Sequence, residues 1–289
     1  MNKRIFAFRD DTKSKEAEEF VRTNGFTLPL QIFQLMSFFI FIIIVALIII
    51  ISAFNTDTIF LLFYIFFGVL IIIIIALSYT VTTINPVDPL SFKYIHNKVN
   101  EEDLKDLCEC DICGFVEPQS KHCKVCNKCV SVFDHHCMWV NNCIGKKNYK
   151  YFVGLLTVLT IFNCFVFLFC IIFFVISLKH DLIKERWKHF YGGYDDALFY
   201  ILLCSLFVLN GTVFVLVIQL FGLHIFLISK KMTTYEYIVK RSHSEEEQKI
   251  GIKTFFEWLI IDKKRLKKSD SDNQDLENQE IERVKSIKD

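Results

Sequence analysis

Four long runs without a single Lys, Arg, Asp or Glu dominate this sequence: Leu30 to Ala53, Ile59 to Val81, Phe152 to Leu178 and Leu202 to Ile228. Each exceeds the roughly 20 residues that cross ~30 Å of hydrocarbon as an α-helix. A helix satisfies its own backbone polar groups in lipid, and an open strand or loop does not. Buried helices of a large soluble protein would be shorter and keep a polar face, whereas β-barrel strands would run ~10 residues and alternate. The composition agrees: 53% of the 289 residues are hydrophobic, 15% are aromatic, and the mean hydropathy is +0.37. The sequence therefore predicts an all-α polytopic membrane protein with four transmembrane helices in a lipid bilayer.

Charge orients the spans. The first 29 residues are charged and lack the short apolar core and small-residue cleavage site of a signal peptide, so the first span is expected to be retained. Of the 33 Lys and Arg, 29 lie before span one, between spans two and three, or after span four; only 4 lie between spans three and four. The positive-inside rule then places both termini and the long central loop in the cytosol. The expected layout is a cytosolic segment 1–29, a hairpin 30–81 turning at Asn55 to Thr58, and a cytosolic loop 82–151. Spans three and four follow in 152–228 with an external connection 179–196, where Gly192-Gly193 signals a turn. A cytosolic tail, 229–289, offers Thr254 to Lys268 as an amphipathic or small packing helix and reads as disordered after Ser269. The membrane is expected to be endomembrane (Golgi or ER) or plasma membrane. A formal net charge of +1 says little about partners, and no nucleic acid is expected among them. Asn163, Asn210, Gln219 and His224 fall inside spans and are read first as interhelical hydrogen-bonding groups.

Eight of the eleven cysteines crowd between Cys108 and Cys143, together with His122, His135 and His136; the other three, Cys164, Cys170 and Cys204, read as packing residues within spans. A disulfide framework does not suit a loop facing the reducing cytosol. Paired Cys-x-x-Cys spacings instead present thiolates to a tetrahedral zinc. Two four-ligand sites would use eight of these eleven groups and leave three free, and spacing alone leaves open which three. Within "DHHC" a carboxylate, an imidazole and a thiol stand side by side. These are the parts of an Asp-oriented His acting as base for a Cys nucleophile.

From Cys110 to Phe152, "CDICGFVEPQSKHCKVCNKCVSVFDHHCMWVNNCIGKKNYKYF", the chain resembles the DHHC protein S-acyltransferases (palmitoyltransferases). Asp88-Pro89 after span two is similar to the family's DPG motif, and "TTYE" at Thr233 to Glu236 to its TTxE motif. The resemblance covers roughly residues 25–238. It implies a small cytosolic Cys-rich domain between helices two and three with two structural zinc ions. One would be held by Cys110, Cys113, His122 and Cys129, the other by Cys123, Cys126, His136 and Cys143. It implies Cys137 as nucleophile, His135 as its base and Asp134 as the orienting carboxylate. The implied reaction is ping-pong transfer of a palmitoyl group from palmitoyl-CoA, through an acyl-enzyme, to Cys of cytosol-facing protein substrates. The chain departs from the family at Leu90 (usually Gly), at Met138 (usually Pro), and in a Cys113–His122 spacer one residue short with Glu117 at a usually basic position. Lys121, Lys146 and Lys147 are the basic residues that could meet acyl-CoA phosphates instead. The rival reading from the ligands alone is a membrane-anchored zinc adaptor with Cys137 inert.

Overall fold

A computed structural model describes residues 21–55, 57–91, 108–179 and 181–242. The expected helix over Thr254 to Lys268 and the disordered end beyond Ser269 lie outside the described residues. Helices α1 (Ile32–Ser52) and α2 (Thr58–Thr83) are followed by six three-residue strands: β1 (Cys108–Cys110), β2 (Gly114–Val116), β3 (Lys121–Cys123), β4 (Lys128–Val130), β5 (His135–Cys137) and β6 (Asn142–Ile144). Helices α3 (Tyr149–Lys179), α4 (Leu182–Tyr191) and α5 (Asp196–Ser229) complete the order. A further helix starts at residue 234, and the described residues 236–242 fall in a separate unit.

Helices α1, α2, α3 and α5 are long and apolar enough to cross a membrane. Helix α3 packs against both α5 and α2, and α1 packs against α5. Their seam is aliphatic and aromatic: Ile44, Ile51, Phe67, Phe162, Val166, Phe199 and Leu206 are all buried. Phe63 stacks on Phe169 at 5.1 Å, and Phe41 meets Phe162 at 5.7 Å. Between helices in lipid such side-chain packing does the work that water exclusion does elsewhere. Asn210 Nδ2 donates to the backbone oxygen of Asn163 at 3.0 Å, an α5-to-α3 bond of the interhelical kind expected from these residues. Gln219, by contrast, is exposed on α5. The packing role expected for three span cysteines holds for buried Cys170, whereas Cys164 and Cys204 are exposed on the helix surface.

The connection between spans three and four, expected as a loop with a turn at Gly192-Gly193, contains a ten-residue helix. Helix α4 is amphipathic: Trp187 packs edge-on to Phe54 at 5.5 Å, while Arg186 forms a forked ion pair with Asp57 at 2.6 and 3.2 Å. Gly192, at φ 76°, ends it in the left-handed conformation that glycine adopts without strain. Asp195 then caps α5, accepting from the Ala197 and Leu198 amides. α4 is thereby fastened to the turn that joins α1 and α2.

At the opposite ends of the spans the strands are tied onto the bundle by single polar side chains. Asn142 is fully buried, and its Nδ2 lies 3.0, 3.2 and 2.8 Å from the carbonyls of Val81, Thr82 and Ile84, which close α2. Asp88, also fully buried, accepts from the amides of Leu90, Ser91 and Glu117 and from the Ser120 hydroxyl. This binds the exit of α2 to the β2–β3 loop. Leu90 sits at ordinary φ, so the turn does not require the family's glycine. Glu117 accepts from Ser131 and so serves as a strut within the small domain.

The segment before α1 is clamped beneath this domain. A Cβ on Gly25 would lie 2.1 Å from the Val140 carbonyl oxygen and 2.6 Å from Thr82 Cγ2; on Gly145 it would lie 2.6 Å from Val130 Cγ1 and 2.7 Å from the Ser131 oxygen. Gly25→Ala and Gly145→Ala should each lower unfolding free energy by about 1–3 kcal/mol in purified protein. Gly68→Ala, inside α2 where nothing lies within 4 Å, is the matched control and should leave the thermal midpoint at or slightly above the parent value.

Candidate active site and metal clusters

The six strands form three separate antiparallel hairpins, β1–β2, β3–β4 and β5–β6. The second and third are copies of one pattern, "HCKVCNKC" (122–129) and "HCMWVNNC" (136–143). In each, the His faces the last Cys across the ladder: His122 pairs with Cys129, and His136 with Cys143. In each, an Asn turns the chain at positive φ, Asn127 at 51° and Asn141 at 52°. Asn tolerates that conformation better than most side chains. The first hairpin has the same kind of turn, Cys110-x2-Cys113, followed by Gly114 at φ 75°.

The hairpins share ligands in series. The turn of the first supplies Cys110 and Cys113, and the strands of the second add His122 and Cys129. The turn of the second supplies Cys123 and Cys126, and the strands of the third add His136 and Cys143. Within each group of four, all donor atoms lie within 4.8 Å of one another. His122 Nδ1 is 3.4, 3.8 and 3.9 Å from the sulfurs of Cys113, Cys110 and Cys129. His136 Nδ1 is 3.4 and 3.6 Å from those of Cys126 and Cys143, which stand 3.4 Å apart. That last separation is far beyond the ~2.05 Å of a disulfide. Tetrahedral zinc, with bonds of ~2.3 Å to sulfur and ~2.1 Å to nitrogen, sets its ligands about 3.5–3.8 Å apart. The donor spacing fits a metal ion in both groups.

The protonation balance points the same way. Crowded thiols cannot all ionise together. The hydrogen bond from Cys129 pulls Cys113 down to about 5, and the reciprocal bond drives Cys129 upward. The hydrogen bond from Cys126 lowers Cys123, while Cys126 is pushed up to about 11 and Cys143 rises as well, each chiefly by its bond to Cys123. A divalent cation removes this conflict by stabilising every thiolate at once.

The turn of the third hairpin breaks the pattern. It begins with Cys137, yet Val140 stands where the second turn has Cys126. The chain then enters α3 at Tyr149, so no fourth hairpin follows to add strands. Cys137 belongs to neither four-membered group. It is 6% exposed, in an apolar cluster with Val81, Val140, Ile144, Phe152 and Leu156 where the small domain meets α2 and α3.

Around it the other chemistry-bearing residues converge. His135 Nδ1 is 2.7 Å from Asp134 Oδ2. The buried Asp134 carboxylate is clamped by Thr234, whose amide donates to Oδ1 at 2.9 Å and whose hydroxyl donates to Oδ2 at 2.8 Å. Burial alone would raise Asp134, but the His135 bond and the two Thr234 bonds hold it below the usual carboxylate range. Burial alone would lower His135; hydrogen bonds to Asp134 and Cys137 outweigh it and bring the imidazole up to about 9. Of the other residues singled out in the sequence, Cys108 is exposed on β1 and belongs to neither metal group. Met138 is exposed at the turn, so nothing there selects between Met and Pro. Lys147 donates to the Val87 carbonyl at 2.9 Å, and Lys121 lies 5.8 Å above the Tyr235 ring.

Residues 103–241 match the family described as DHHC palmitoyltransferase. The chain carries a DHHC palmitoyltransferase domain. Palmitoyltransferase ZDHHC5-B of Danio rerio is 37% identical over 131 residues, which cover 45% of this chain and 18% of that protein. Palmitoyltransferase ZDHHC8 of Drosophila melanogaster is 36% identical over 133 residues, covering 45% and 12%. Palmitoyltransferase ZDHHC9 of Homo sapiens is 35% identical over 143 residues, covering 49% and 36%. The chain thus spans a minor part of the length of the curated relatives it matches. Within the DHHC domain, sequence reasoning gave too little weight to His224. It does make an interhelical contact, with Tyr149 Oη 3.2 Å from its Nδ1, but its ring also lies 5.9 Å from that of His135. The ten-residue spacing from His224 to Thr234 at the end of α5 was the available signal.

The serial sharing of ligands makes a specific demand on metal content. Cys143→Ala, which removes a fully buried ligand of the second group, should lower bound zinc from two equivalents to about one per chain and depress the thermal midpoint. Elemental analysis of purified protein reads the first effect and thermal unfolding the second.

Proposed function

We propose that the protein is a protein S-palmitoyltransferase that carries the acyl group on Cys137. The observation that carries this reading is the placement of Cys137: outside both four-ligand groups, two residues along β5 and on the same face as an Asp-held imidazole, and set in an apolar seam at the ends of the spans. A thiol in that position can be both deprotonated and reached by an acyl chain lying in the bilayer.

The proton moves first. His135 takes it from Cys137, and Asp134 keeps the imidazole in the tautomer and orientation that leave its other nitrogen free to do so. The Cys137 thiolate attacks the thioester carbonyl of palmitoyl-CoA; the bond to the CoA sulfur breaks, and CoA leaves as a thiol with the proton from His135. In the second half His135 takes the proton of an acceptor cysteine on a protein substrate. That thiolate attacks the Cys137 thioester, and the Cys137 sulfur leaves and is reprotonated. Each half exchanges one thioester for another, so no net bond energy has to be supplied. The apolar setting of Cys137 favours a long chain, since each methylene kept out of water contributes about 0.8 kcal/mol.

Zinc in the two groups would fix the loop that carries Cys137 and, with all four positions taken by protein ligands, would leave the chemistry to the thiol. On this reading the small domain and both termini face the cytosol, where acyl-CoA and acceptor cysteines are found. The charge distribution supports this orientation.

Purified protein incubated with fluorescent palmitoyl-CoA should gain a hydroxylamine-sensitive label that is absent from Cys137→Ser, while that variant keeps its two equivalents of zinc. Equal labelling of Cys137→Ser and parent would leave only the adaptor reading. Thr234→Val, which removes one of the two bonds from Thr234 to Asp134, should slow acyl-enzyme formation about three- to tenfold, on the basis of ~1 kcal/mol per hydrogen bond. Single-turnover labelling measures that rate.

A further inference from the structure

His135 is held by polar partners and flanked by two rings. Asp134 takes Nδ1, and Cys137 stands two residues on, on the same face of β5. Phe152 of α3 meets the ring edge-on at 5.3 Å, and His224 of α5 lies at 5.9 Å. His224 also packs against Phe152 at 5.1 Å. One nitrogen of His224 lies within 4.8 Å of both the Asp134 carboxylate and a nitrogen of His135. The residue is 1% exposed and belongs to a mostly apolar helix. An imidazole there has a desolvation cost that a phenyl ring or a leucine would not carry.

Two features suggest what the imidazole contributes. The first is a limit on Asp134. A histidine ring turns about its Cβ–Cγ bond in a broad two-fold well, so one hydrogen bond to Nδ1 leaves the plane of the ring free to swing. A second ring packed beside it, tilted 39° with centroids 5.9 Å apart, restricts that freedom. The second feature is that His224 is itself held, by Tyr149 Oη 3.2 Å from Nδ1. Tyr149 is the first residue of α3, and His224 lies near the end of α5, so the pair spans the packing of these two helices.

We propose that His224, oriented by Tyr149, is a positioning residue that fixes the ring plane of His135 and so the aim of its second nitrogen at Cys137. The proposal rests on the acyl-transfer reading of Cys137. It makes the chemistry depend on how α3 and α5 meet, ten residues upstream of the Thr234 clamp on the same dyad.

The test uses the full chain with His224→Leu, His224→Phe, Tyr149→Phe and the double variant His224→Leu/Tyr149→Phe. Four quantities are read: the rate of acyl-enzyme formation at saturating palmitoyl-CoA, the half-saturating concentration, the zinc content, and the rate at which iodoacetamide alkylates Cys137, followed on its peptide by mass spectrometry. His224→Leu should slow both acylation and alkylation on the order of tenfold, with half-saturation changed less than about twofold and zinc content at the parent value. His224→Phe, which keeps a flat ring but not the Tyr149 bond, should fall between parent and His224→Leu. Tyr149→Phe should slow the reaction less than His224→Leu, and the double variant should be no slower than His224→Leu alone, because Tyr149 acts through His224.

Parent rates in His224→Leu would overturn the proposal. So would a raised half-saturation with an unchanged maximal rate, which would mean a contact with the acyl donor. Full additivity in the double variant, or loss of a third metal equivalent from His224→Leu, would overturn it too. If the parent forms no acyl-enzyme, the transfer reading falls and the alkylation rates alone judge the positioning. If His224→Leu does not fold, His224→Phe and Tyr149→Phe carry the same comparison.

Discussion

Three hairpins of three-residue strands are too small to stand in water on ladder hydrogen bonds and apolar burial. What would hold them is a metal ion at each of the two points where six thiols and two imidazoles converge, each point drawing on two successive hairpins. Because the groups are shared in series, no hairpin can leave without breaking a neighbour's set. With a metal ion at each point, that arrangement would also fix β5, which carries both His135 and Cys137.

The domain is in turn joined to the membrane helices by buried polar side chains acting singly. Asn142 closes α2, Asp88 ties its exit to the β2–β3 loop, and Thr234 brings the end of α5 onto Asp134. Asn142 and Asp88 each make several hydrogen bonds from one side chain, and Asp134 accepts two from Thr234, which is how a small polar domain can be seated on an apolar bundle without a large interface. The dyad of Asp134 and His135 is thus assembled from three parts of the chain: the hairpin that bears it, the start of α3, and the end of α5.

Much of this was legible beforehand, for reasons that differ by element. The four spans were legible because uncharged runs of such length have few other uses. The ligand-bearing loop was legible because thiols and imidazoles rarely crowd so closely without cause. Other features were hidden. Helix α4 reads as charged loop because its apolar face is short and its neighbours are acidic and basic; Trp187 alone hints that it docks. The 14-residue echo between residues 122–129 and 136–143 lies far below the period of stacked repeats, and it becomes visible only when Asn127 and Asn141 are seen to turn alike. His224 looked like a generic polar residue in a span, since nothing in its own surroundings says which loop residue it will meet. The exposure of Cys164 and Cys204 could not be inferred, because helices this uniformly apolar carry almost no amphipathic signal to say which face is buried.

The substitution of Val140 for a cysteine has a consequence for how such a site can arise. The backbone that presents Cys123 to a cation presents Cys137 in the same posture, with the strand pairing and the left-handed asparagine both kept. On the acyl-transfer reading proposed above, reactivity there comes from subtraction. One ligand is missing from the last unit of a series, and a sulfur already held in place is left with no metal to quench it. The neighbouring histidine then has only to manage a proton.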